Sequence, residues 1–73
     1  MQYDEVYPLD KKVTLSTEEI LSHAGKIVLS RKFNGKEFVT MLMGIEGQDI
    51  VYRTKSGHLI KNPIDSICYM AEV

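Results

Sequence analysis

The pair Asn34-Gly35, set between two runs rich in β-formers (Lys26–Phe33 and Lys36–Met43), constrains the fold more than any other feature of the chain. Asn-Gly reaches the positive φ values of a tight two-residue turn at little cost, so the flanking runs are expected to pair as a hairpin. On such a loop Lys32 faces Glu37, Arg31 faces Phe38, Leu29 faces Thr40 and Ile27 faces Leu42. This register places Ile27, Leu29, Phe38 and Leu42 on one face, the expected core. Val28, Val39, Met41 and Met43 fall on the other. A sheet apolar on both faces needs two covers, here the interior of a small barrel and either a helix or a neighbouring subunit.

Signals upstream specify one helix. Ser16 and Glu19 form a capping box, Leu15 and Ile20 have the spacing of a hydrophobic staple, and Gly25 supplies a left-handed stop, so a helix is expected over Thr17–Ala24. Ahead of it, residues 1–15 hold Pro8 and irregularly placed Tyr3, Val6, Tyr7, Leu9 and Val13, which reads as an extended arm on the body. Downstream, Gly44 and Gly47 flank Ile45-Glu46 as a bend, a strand follows over Asp49–Thr54, and Lys55–His58 reverses the chain into Leu59, Ile60 and Lys61. Asn62 reads as a cap and Pro63 as the first position of a single helical turn through Asp65, before a closing strand over Ile67–Met70. The expected whole is a single domain over residues 1–73: arm 1–15, helix 16–25, and a mostly β, five-stranded antiparallel small barrel over 26–73.

A chain of 73 residues has room for one core and buries only roughly 60% of its unfolded surface, so a partner or self-association would add to its stability. Its apolar fraction of 44% is that of a folded domain. No run approaches the ~20 apolar residues of a membrane span, and Met1 leads into Asp4 and Glu5 rather than a secretory signal, so a cytoplasmic chain is expected. Cys68 is the one cysteine, read as a small buried hydrophobe. The formal charge of -1 is divided: residues 1–25 are net -3, residues 26–61 net +4 and the tail net -2. An acidic leader on a basic body either masks that body or faces a differently charged partner.

No arrangement points to catalysis. His23 and His58 lack further ligands at metal spacing, no phosphate-binding glycine loop occurs, and Ser22-His23 on a helix point about 100° apart. Capping accounts for Glu18 and Glu19. The expectation is a non-enzyme with no metal and no cofactor. The feature with functional content is the cationic set Arg31, Lys32, Lys36, Arg53, Lys55 and Lys61, which can meet phosphates, with Phe33 or Tyr52 offered for base stacking.

The order of helix, Asn34-Gly35 reversal, glycine-edged bend at Gly44–Gly47, strand Ile50–Thr54 and one-turn break before a closing strand resembles the Sm-like small barrel, close in plan to SH3-like barrels. Over roughly residues 26 to 70 it is similar to the Hfq family of bacterial RNA chaperones, whose closing segment Leu59–Ile67 resembles. That family places a Lys-His pair on RNA there; Lys61 alone carries over, Asn62 standing at the histidine. The plan of acidic leader with Tyr7-Pro8-Leu9, one helix and barrel also resembles the Rof (YaeO) inhibitors of the transcription terminator Rho, which implies binding to a protein. Three readings follow. In the first, a regulatory protein-interaction module engages a nucleic-acid-handling partner through Asp4, Glu5, Glu18 and Glu19. The second is an RNA binder using the six cations. The third is a subunit of a homo-oligomer with Val39, Met41 and Met43 at its interface.

Overall fold

The computed structural model describes residues 14–73; the expected arm, with Asp4 and Glu5, lies outside them but for Thr14 and Leu15. Helix α1 (Thr17–Leu21) precedes β1 (Ile27–Lys32), β2 (Glu37–Glu46), β3 (Asp49–Arg53), β4 (Leu59–Pro63), a one-turn 3-10 helix (Ile64–Ser66) and β5 (Ile67–Glu72). All pairings are antiparallel, in the order β4-β3-β2-β1-β5. The chain is mostly β, as its residues imply, behind one short helix.

Ser16 caps α1, its Oγ accepting the Glu19 N–H at 3.1 Å. The helix stops at Leu21, three residues short of Ala24. There the bonds tighten to three-residue spacing (His23 N–H to Ile20 O and Ala24 N–H to Leu21 O, each 3.1 Å), and Ser22 Oγ donates to Glu19 O at 2.6 Å. Gly25, at φ 82°, then turns its N–H onto Leu42 O at 2.8 Å and hands the chain to the sheet. Ile20 is the helix residue that reaches the core, whereas Leu21 is 49% exposed.

The hairpin at Asn34-Gly35 forms, but one residue out of the expected register. Pairing runs Ile27 with Met41, Leu29 with Val39 and Arg31 with Glu37. The loop has three residues: Gly35 N–H donates to Lys32 O at 2.9 Å, and Lys32 N–H to Lys36 O at 2.8 Å. Gly35 takes φ 91°, while among the described residues only glycines have positive φ, so Asn34 keeps a negative φ and its Oδ1 accepts the Lys36 N–H at 2.9 Å. This is the type I turn with a glycine bulge, the next most common hairpin after the two-residue turn. A one-residue slip exchanges the faces of a strand. β1 therefore buries Val28 and Ser30 rather than Ile27 and Leu29, while β2 keeps Leu42 buried and Phe38 packed against the core, as expected.

Ile20, Val28, Leu42, Ile50, Tyr52, Ile67 and Met70 form the core. Each such side chain contributes about 1.5–3 kcal/mol by leaving water. Ser30, the buried polar residue, shares a 3.0 Å hydrogen bond with the Tyr52 hydroxyl, which satisfies both groups. Burial pushes the Tyr52 phenol above its ordinary pKa, partly offset by that bond.

Ile45 and Glu46, expected in a bend, extend β2 and pair with Ile50 and Asp49; the bulge lies between Leu42 and Gly44, and Gly47-Gln48 make the turn. Pro63 ends β4 instead of opening the helical turn. The sheet is open, since β5 pairs with β1 and no ladder joins it to β4. Proline has no N–H to donate, and the 3-10 helix turns the chain away before a ladder can start. Single backbone bonds bridge the corner instead, from Ile64 N–H to Gln48 O (2.9 Å) and from Phe33 N–H to Ser66 O (3.2 Å).

Candidate interaction surface

The corrected register sorts side chains onto an outer face that no described element covers. Ile27 opposite Met41 and Leu29 opposite Val39 make a block of four apolar side chains. Ile27 is 52% and Val39 54% exposed, with Leu29 and Met41 half-buried. The slip that moved Val28 inward placed Ile27 and Leu29 here. Met43 is also exposed, whereas Val28 is buried. Contiguous apolar surface of this kind makes the block a candidate for burial against another molecule.

β1 and β3 run in the same direction, so the turns that follow them open at one end of the sheet. The second turn repeats the first: Gly57, at φ 90°, donates to Thr54 O at 2.9 Å, and Thr54 N–H donates to His58 O at 2.8 Å. Two depressions lie beside these turns. An open groove of about 640 Å³ is lined by Val39, Met41, Arg53, Lys55, Phe38 and Ile60 among others. A cleft of about 330 Å³ is lined by Lys32, Lys36, Phe38, Ile60 and Asn62 with Glu37. They share Phe38 and Ile60, with Arg53 and Lys55 lining the first and Lys32 and Lys36 the second, and the two together are termed one path.

The six expected cations do not act alike. Arg31 Nε donates to Glu37 Oε2 at 2.7 Å and its guanidinium lies 4.8 Å from the Tyr69 ring centre, so Glu37 holds it more firmly protonated than usual. Lys61 Nζ is 3.0 Å from Glu46 Oε1, which likewise raises its pKa. Lys32 rests its ammonium 6.0 Å from the Phe38 ring centre. Lys32, Lys36, Arg53 and Lys55 have no ion pair among the described residues. The structure gathers these four around the path and ties Arg31 and Lys61 to carboxylates. Tyr52 is wholly buried and cannot stack on a base. Phe38 and Ile60, absent from the expected set, floor the path; the two-residue period of β2 and β4 aims them there.

Of the expected acidic set, Glu18 and Glu19 are exposed on α1; Asp4 and Glu5 lie outside the described residues. His23 Nδ1 meets Glu72 Oε2 at 2.9 Å and Lys26 Nζ lies 3.7 Å away, so first His23 and then Lys26 hold the Glu72 carboxyl below its ordinary pKa. That clasp ties the helix exit to β5. Ser56 Oγ shares bonds with Thr54 Oγ1 (3.0 Å) and His58 Nδ1 (2.9 Å), but all three sit in one turn and staple it. Cys68 is half-buried on β5. Among the described residues no cluster of three His, Cys, Asp or Glu could hold a metal, and no helix is long and apolar enough to cross a membrane. Comparison with known proteins finds no matching family model, no matching curated protein and no matching solved structure.

Proposed function

We propose that the chain is a small, non-catalytic, cytoplasmic regulatory module of Sm-like plan that binds another protein, in the manner of the Rof inhibitors, and acts on a nucleic-acid-handling partner. The observation that carries this reading is the outer block of Ile27, Leu29, Val39 and Met41, left uncovered by every described element. Burial of such a block against a partner supplies affinity, and Asp4, Glu5, Glu18 and Glu19 select a basic surface on that partner. The test is in-cell crosslinking with the intact chain, a Val39→Lys variant and a variant with lysine at all four acidic positions. Both variants are expected to lose the crosslinked partner, and full retention by both would remove the reading.

The four cations around Phe38 and Ile60 favour a second reading, an Sm-like RNA binder. Titration of labelled oligonucleotides at several salt concentrations separates it: affinity falling steeply with salt supports it, and no binding at low salt eliminates it. Self-association through the outer block is the remaining reading, and light scattering at high concentration decides it.

A further inference from the structure

We infer that the path between the two hairpin turns is a peptide groove, and that its ligand is an extended segment of a partner protein in which carboxylates alternate with apolar side chains. The inference rests on the reading of the chain as a protein-interaction module and names the chemistry of what it binds.

Three observations carry it. The floor is apolar and the rim cationic: Phe38 and Ile60 lie between Lys32 and Lys36 at one end and Arg53 and Lys55 at the other. An extended peptide presents alternate side chains to opposite sides, so one set meets that floor while the other reaches the rim. Secondly, the charge is uncompensated. The acid that lines the path, Glu37, is bonded to Arg31, and the residue opposite Arg53 is Leu59, which offers no carboxylate. Thirdly, one wall is an edge strand, since β4 pairs with β3 alone and contributes Ile60 and Asn62. An edge strand offers backbone groups that an extended chain can pair with.

Within the path, Phe38 does not offer a face for base stacking. Base stacking needs an open aromatic face. The Phe38 ring is packed edge-on against Tyr52, with centroids 5.0 Å apart and planes at 78°, and Lys32 lies over it.

The test uses the full chain and a synthetic eight-residue peptide alternating aspartate or glutamate with leucine or phenylalanine, followed by NMR amide shifts. Controls are the same peptide with lysine at each acidic position, and oligouridylate. Saturable shifts at Met41, Gly57 and Ile60 with the acidic peptide, and none with the lysine peptide, are expected. The Arg53→Glu, Lys55→Glu double variant should weaken binding at least about tenfold with an unchanged melting temperature, since both residues are exposed. The inference is overturned by absence of saturable shifts up to about 1 mM at low salt, by equal binding of the lysine peptide, or by binding of oligouridylate alone at these residues. Partner loss on Leu29→Lys, an outer-block residue that lines neither depression, but not on the double variant would sink the groove while leaving the module standing.

Discussion

The two hairpins at the same end of the sheet close with the same turn yet leave opposite charge states beneath it. In both, a glycine at positive φ, Gly35 or Gly57, follows two loop residues, and the bonds across the loop agree at 2.9 and 2.8 Å. One step below the first turn Arg31 stands opposite Glu37; one step below the second Arg53 stands opposite Leu59. Arg31 is thereby paired at 2.7 Å, while Arg53 has no ion pair among the described residues. Backbone conformation at a turn thus follows from one glycine, but the charge a turn displays depends on the cross-strand neighbour of each arginine.

The comparison breaks first at the register, because in the neighbouring alignment Arg31 would oppose Phe38. Val28→Asp should cost more than about 3 kcal/mol by burying a carboxylate without a partner, enough to unfold a small domain, whereas Ile27→Asp should cost well under about 1 kcal/mol. Urea denaturation reads both, and the reverse order would restore the register that the Asn34-Gly35 pair suggests. Next come the turns. With open space around Gly35 and only Arg53 Nη2 at 4.0 Å from a Cβ at Gly57, valine at either position meets backbone strain rather than a clash. Each substitution should cost about 1–2 kcal/mol, and clearly unequal costs would show that the turns are not equivalent. The smallest stability effect belongs to exchange of the partners, because the Arg31–Glu37 pair is exposed. Its value is in binding: Leu59→Glu should weaken the acidic peptide and Glu37→Leu should strengthen it, in the same NMR titration. Shifts in one direction for both would undo the role assigned to the cross-strand neighbours.

Much of the architecture is legible in the residues. Ser16, Glu19 and Ile20 announce the helix, and Asn34-Gly35 and Ser56-Gly57 the reversals, while Pro63, expected to open the helical turn, ends β4. The buried face of β1 differs from the expected one because Asn-Gly serves both a two-residue loop and the second and third positions of a three-residue loop. The alternation of β1 could not arbitrate, since Ile27, Val28 and Leu29 are all apolar. On β2 the expected face, Phe38 and Leu42, is the one that meets the core, although Val39, Met41 and Met43 make the opposite face just as apolar. The candidate surface was half legible: all four available cations stand in the expected set, but nothing along the chain tells them from Arg31 and Lys61, whose carboxylate partners are six and fifteen residues away.

What the sequence by itself determined are the local conformations: where a cap, a positive φ or a missing N–H commits the backbone, the outcome depends on a few adjacent atoms. Tertiary structure alone decided which face of β1 is buried, that the sheet stays open between β4 and β5, and which cations remain available. Each of these depends on packing or pairing between segments distant in the chain, where neighbouring alignments satisfy the same local preferences and only the fit of the whole core separates them.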